Sequence, residues 1–200
     1  MAAKYIDLAF TDSVRRAQQH YYGRSAPIIR APARDPLREA EADFIAARDS
    51  FYLATVSETG WPYVQHRGGP IGFLRVLNPN TLAFADYQGN RQMLTTGNVS
   101  ANDRVALFLM DYPNRRRLKI LGHARIEDAS AHPELVAQLA DPGVSSKTER
   151  LVFIDVISYD WNCPKYITPR YSMAEVDDLV RPLKARIAAL EERLSLAANR

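Results

Sequence analysis

Between Phe51 and Trp161 the chain is a succession of short β-type runs divided by turn signals, and this pattern limits its possible folds more than any other feature. Phe51-Tyr52-Leu53-Ala54-Thr55-Val56 is rich in aromatic and β-branched residues. Glu58-Thr59-Gly60 then turns the chain into a second run, Trp61 to Arg67, and the two predict a hairpin. Thr81 to Ala85 follows the Asn78-Pro79-Asn80 turn. Arg104 to Asp111 is an apolar run that Pro113-Asn114 turns into Arg117 to Ile126. There Leu118, Ile120, Gly122, Ala124 and Ile126 alternate with Lys119, Leu121, His123 and Arg125. Leu151 to Trp161 is the last run. Six strands joined by hairpins and short helices predict a mainly β, α+β fold with an antiparallel sheet. Such a sheet best avoids exposed edges by closing into a barrel.

Helices fit around this frame. Thr11-Asp12-Ser13 offers cap oxygens to a short helix, and Gly23 to Arg34 reads as an extended arm. Asp35-Pro36-Leu37 predicts a helix start, with Leu37, Ala40, Phe44 and Ala47 on one face up to about Arg48. Gln92 to Asn98 and Pro133 to Ala140 are further short helices. Near the C-terminus, Ser172-Met173-Ala174-Glu175 has capping-box spacing. After it, Val176, Val180, Leu183, Ile187, Leu190 and Leu194 step by 4, 3, 4, 3 and 4 residues. Pro182 is expected to kink or restart this helix. The seam either docks on its own barrel or meets another subunit. The chain thus divides into a helix and arm over 1–34, a barrel domain over 35–171 and a terminal helix over 172–200.

Charge and motifs narrow the function. Twenty-six basic residues against 23 acidic ones give a net charge of +3, too mild for a nucleic-acid binder. The basic run Arg115-Arg116-Arg117 with Lys119 lacks interleaved aromatics and reads as a solvated hairpin tip. Cys163 is alone, which leaves no intrachain disulfide and fits a reducing compartment. His20, His66, His123 and His132 have no metal-ligand spacing. The first ten residues, with Lys4 and Asp7, lack the apolar core of a secretory signal, and no apolar run is long enough to span a bilayer. The expectation is a cytoplasmic protein without a membrane, nucleic-acid or metal partner.

Two segments invite a ligand. Gln65-His66-Arg67-Gly68-Gly69-Pro70 places polar groups beside glycines that let backbone approach a ligand; a bulge or strand break would look the same. Asp86-Tyr87-Gln88-Gly89-Asn90-Arg91-Gln92 brings an arginine to the start of a helix, an arrangement suited to a phosphate.

These segments, with Gly97-Asn98 and Asn102-Asp103-Arg104-Val105, resemble the flavin-binding core of the pyridoxamine 5'-phosphate oxidase-like family. The strand Leu118 to Ile126, with its Gly122-His123-Ala124, and the opening hairpin with Gly60-Trp61-Pro62 resemble it too. The resemblance runs from about Asp43 to Trp161. It implies a split β-barrel built as a homodimer, with FMN in the groove between subunits. Arg91 takes the place of the phosphate-binding arginine, flanked by Asn90, while Gln92 stands where a lysine is common. Asp86 opens that turn. Arg67, with Gln65 and His66, matches the start of the flavin-contacting strand, and Arg75 the basic residue after it. Arg117 or Lys119 would face the flavin from the later strand. Trp161 and Arg170 would close over it, within Trp161-Asn162-Cys163-Pro164-Lys165-Tyr166-Ile167-Thr168-Pro169-Arg170, which stands where true oxidases carry an Arg-x-His substrate motif. The implied function is an FMN-dependent oxidoreductase acting on a small organic substrate, fed by NADH or NADPH, with no residue required as nucleophile. The alternatives are a flavin-binding or flavin-sensing protein without turnover, or the same fold holding haem or a deazaflavin.

Overall fold

The computed structural model describes residues 2–143, 145–161 and 163–198. Its centre is one antiparallel sheet of seven strands, β1 (Ser50–Val56), β2 (Pro62–Gly68), β3 (Arg75–Asn78), β4 (Thr81–Tyr87), β5 (Arg104–Asp111), β6 (Arg116–Asp128) and β7 (Thr148–Trp161). Hydrogen-bonded neighbours run β2-β1-β5-β6-β7-β4-β3. The β1–β2 hairpin forms as the sequence predicts, with Phe51 opposite Arg67 and Val56 opposite Pro62. Gly60 holds its turn at φ +84°, a left-handed conformation that glycine adopts freely.

Two expectations about the sheet are corrected. Among the described residues there are seven strands rather than six, because Arg75–Asn78 pairs with β4. This strand is four residues long and largely exposed, so it carries no hydrophobic periodicity to read. The sheet also does not close by backbone pairing: β2 and β3 are its two edges. Local hairpins specify neighbours, whereas closure depends on how far the whole sheet curls.

Among the described residues there are six α-helices: α1 (Ala3–Ala9), α2 (Asp12–Tyr22), α3 (Glu39–Ala46), α4 (Leu94–Ala101), α5 (Pro133–Leu139) and α6 (Met173–Ala198). Thr11 caps α2 as expected, its hydroxyl accepting the Val14 N–H. The predicted start at Asp35-Pro36 is displaced to Glu39. Tertiary bonds hold 35–37 outside the helix: the Asp35 N–H donates to the Ile157 carbonyl, and Leu37 N–H to Pro79. The Asp35 carboxylate accepts from the Lys4 N–H and the Ser158 hydroxyl. The helix expected over 92–98 begins instead at Leu94, because the Asn90 side chain accepts the Gln92 N–H and Met93 is left-handed at φ +57°. α1 was not expected; it packs on β7.

The main core lies between sheet and helices. Phe51, Leu53, Leu107, Leu118, Ile120 and Ile154 are all buried there. Phe51, Phe73 and Phe84 form an aromatic knot with centroids 5.4–6.3 Å apart. Gly122 lies at a register shift between β6 and β7, where a Cβ would come within 2.6 Å of the Asp155 carbonyl oxygen. The chain divides into two compact units, Met1–Asp111 with Arg116–Cys163, and Tyr112–Arg115 with Pro164–Arg200. Within the second, the Ser172–Glu175 capping box forms, and α6 continues through Pro182 as one 26-residue helix. Among the described residues no helix is long and apolar enough to cross a membrane.

Candidate functional site

A cavity of about 240 Å³ opens where β2, the end of β4, the start of α4 and the start of β7 converge. Alternation along β2 turns Tyr63, Gln65 and Arg67 toward it. α4 is pinned above by two hydrogen bonds: Thr95 hydroxyl to Gln65 Oε1 at 2.6 Å, and Asn98 Nδ2 to Thr55 Oγ1 at 2.9 Å. Both threonines and Asn98 are buried, so each bond is worth more than a surface contact.

The floor is an ionic cluster. Asp86, 7% exposed, takes Arg67 Nη1 at 2.5 Å and Arg150 Nε at 3.0 Å. Glu149 pairs with the other side of Arg150 at 2.9 Å. Asp86 and Arg150 are directly opposed on β4 and β7, and the Arg67 guanidinium lies over the Phe84 ring. Arg67 Nε is buried without a hydrogen-bond partner, a donor left over in the cavity wall. The rim is the Gly89–Met93 loop. Arg91 and Met93 hold φ of +60° and +57°, left-handed conformations that cost non-glycine residues about 1 kcal/mol or more each. Met93 is also the N-cap of α4 and offers no side-chain cap, so the first N–H groups of that helix face the cavity mouth without one.

The structure thus gathers Gln65, Arg67, Asp86, Asn90, Arg91 and Gln92 around one cavity. It places the other predicted residues elsewhere. His66 points to the opposite face of β2, its ring 5.5 Å from Tyr52. Arg75 lines a separate hollow of about 220 Å³ with Phe73, Leu139 and Pro142. Lys119 pairs with buried Asp160 at 2.6 Å and lies over the Tyr5 ring. Trp161 donates Nε1–H to Glu41 at 2.6 Å and meets Phe44 edge-on. Arg170 lies over the Tyr112 ring in the second unit. Asn162 falls outside the described residues. Sequence reasoning missed Thr95 and Arg150. A threonine pair at a helix start after an arginine turn was a readable signal for the first, whereas Arg150 joins the site only through the β4–β7 register.

Residues 37–153 match the family model described as pyridoxamine 5'-phosphate oxidase, more than half of the chain. The chain belongs to the pyridoxamine 5'-phosphate oxidase family. That match takes in β1 to β6, α4 and the Arg150 end of β7, so the whole cavity lies inside the family region. No curated protein matches the chain. Among solved structures, HupZ from Group A Streptococcus is 13% identical over 68% of this chain and 100% of its own, with a TM-score of 0.49. HutZ, a haem storage protein from Vibrio cholerae, is 17% identical over 64% and 94%, at 0.45. An FMN-binding protein from Syntrophomonas wolfei is 11% identical over 61% and 83%, at 0.43.

Proposed function

We propose that this chain is an FMN-binding flavoprotein of split-barrel type that acts as a homodimer and passes hydride or electrons between FMN and a small organic substrate, drawing on NADH or NADPH. The observation that carries the reading is the cationic cavity: Arg67, Arg91 and Arg150 converge against only Asp86 and Glu149, beside the uncapped start of α4. A phosphate monoester carries about −1.5 to −2 charges at neutral pH, which this donor set would bind by charge-assisted hydrogen bonds. Arg67 supplies a buried donor already stripped of water and Arg91 an exposed one at the rim. FMN, once bound, supplies the redox chemistry itself. The chain's own residues bind its phosphate end, hold its orientation and exclude water from it.

The cavity's size supports the dimer. Sites for cofactor-sized molecules usually enclose about 300–1,000 Å³. About 240 Å³ accommodates the phosphate end and leaves the ring system to be covered by another surface. The outer sheet face is one candidate for that surface: His66, Tyr52, Phe108 and Lys119 stand opposite one another across four strands there. Because Trp161 to Arg170 stands in place of an Arg-x-His motif, the substrate we assign is a small molecule other than pyridoxine phosphate. A cytoplasmic location fits the single thiol of Cys163.

One observation favours a second reading, a flavin-binding protein without turnover. The cavity lining holds neither histidine nor cysteine, and both of its carboxylates are engaged by arginines. Extraction of the native cofactor and its identification by mass decides the ligand. FMN supports the proposal; haem, a deazaflavin, or a colourless protein that takes up no added FMN overturns it. Anaerobic mixing of the FMN-loaded protein with NADH, NADPH or dithionite separates the two flavin readings: bleaching by a nicotinamide supports the enzyme, and bleaching by dithionite alone the passive binder.

A further inference from the structure

α6 carries an apolar seam that the second unit leaves open from Leu183 to Leu194. No residue of this helix is buried, and Leu183, Ile187, Leu190 and Leu194 are 62%, 55%, 40% and 69% exposed. Within the second unit the helix meets other residues beside and behind that seam. A hollow at Pro113 and Tyr171 is lined by Glu175, Asp178 and Leu179, not by the stepped apolar positions. Written as heptads, the seam has Val180, Ile187 and Leu194 at a, and Val176, Leu183 and Leu190 at d. Pro182 then falls at c, where its missing N–H lies off the seam.

Three features of this face specify what covers it. In a parallel coil, β-branched residues at a with leucine at d, as in Val180–Leu183 and Ile187–Leu190, favour two strands over three or four. In a parallel pair, position g of one helix faces e of the next heptad on the other. Here that sets Arg186 against Glu191 twice, once on each side of the twofold axis. In an antiparallel pair g would face g and e would face e, so repulsion between Arg186 and Arg193 would offset the attraction of Lys184 for Glu191. A lipid surface is disfavoured, because the helix carries Glu175, Asp177, Asp178, Glu191 and Glu192 against only Arg181, Lys184, Arg186 and Arg193, whereas membrane-surface helices are basic on their polar face.

We propose that α6 pairs with α6 of a second copy as a parallel, in-register, two-stranded coiled coil. The seam spans under three heptads of a helix about 39 Å long. Coils this short are marginal alone, and tethering to another interface between the same two copies raises their effective concentration. The pairing does not depend on what the cavity binds.

The test uses the full chain with Cys163→Ser as background. Leu190→Cys puts a thiol at d, where parallel partners meet, and Glu192→Cys puts one at f, facing outward. Mild oxidation and a non-reducing gel are expected to show a disulfide-linked dimer at least tenfold faster for Leu190→Cys. Equal rates, or no linked dimer, overturn the proposal. Adding Glu191→Arg to Leu190→Cys should slow linking several-fold, and adding Arg186→Glu as well should restore it. No slowing, or no rescue, overturns the parallel register. Both cysteine positions are exposed, so folding is not at stake. Absorbance of bound FMN should be unchanged in every variant, which keeps this result separate from the cofactor reading.

Discussion

Asp86 and Glu41 are both buried carboxylates, 7% and 5% exposed, yet they are held in opposite ways. Asp86 is held by cations, the guanidinium groups of Arg67 and Arg150. Glu41 is held by neutral donors: Trp161 Nε1–H at 2.6 Å, the Arg38 N–H at 3.1 Å and the Tyr159 hydroxyl. One lines an open cavity, whereas the other is sealed where α3 packs beside Trp161. The difference shows how to tell a poised cluster from a structural one. Cations that share a single carboxylate keep charge and donors to spare for an incoming anion. Neutral donors that converge on a carboxylate spend their capacity on it, and their only yield is a fixed helix start and a fixed indole.

This contrast can be broken at several points. The largest effect is expected from Asp86→Ala, which leaves two mostly buried guanidinium groups facing each other. Stability should fall by about 3 kcal/mol in urea denaturation, and a loss under about 1 kcal/mol would mean both arginines reach water unaided. Glu41→Ala should cost about 2 kcal/mol, because the Trp161 and Arg38 donors lose their acceptor, while FMN affinity of the folded protein stays unchanged. A matching loss of affinity would show that the two regions are not separate. Arg91→Ala should do the reverse. FMN binding should weaken by about 1.5 kcal/mol, roughly tenfold by equilibrium titration, with stability within about 0.5 kcal/mol of the parent. The smallest effect concerns Tyr159, whose pKa is raised above 10.0 by burial first and by the charge of Glu41 second. A raised pKa means that the unfolded chain releases this proton first. The stability it contributes is therefore complete below pH 10.0 and declines as pH rises from there toward the folded value. Denaturation between pH 8 and pH 11 should show a shallower alkaline decline in Tyr159→Phe than in the parent, and equal slopes would remove Tyr159 from the account.

Strands with alternating apolar residues were legible in the sequence because burial on one face imposes a period of two. β6 is of this kind, while β1 and β5 read as apolar, β-rich runs and β2 through the Gly60 turn that joins it to β1. β3 was not legible, because an exposed edge of four residues needs no such period. Helix starts were misplaced where tertiary bonds outcompeted local capping: Asp35 serves Lys4 and Ser158 rather than its own helix. The Arg91 turn and Arg67 could be read because glycine and charge mark them. The cluster's third arginine could not, because Arg150 meets Asp86 through the pairing of strands about sixty residues apart, a register that no local pattern encodes. The α6 seam was legible as a period, but its exposure needed the structure.

The open sheet has a further consequence. Its two ends are β2 and the β4–β3 pair, and no backbone bond joins them. Yet Arg67 on β2 reaches Asp86 on β4, one strand in from the β3 edge, so this ion pair links the two ends of the sheet, and the cavity lies between them. Any anion drawn into that cavity would act as a clasp on the sheet. Ligand at a hundred times its dissociation constant would add about 2.7 kcal/mol against unfolding, so a rise in melting temperature with added phosphate ester would report an anion held between the two ends of the sheet.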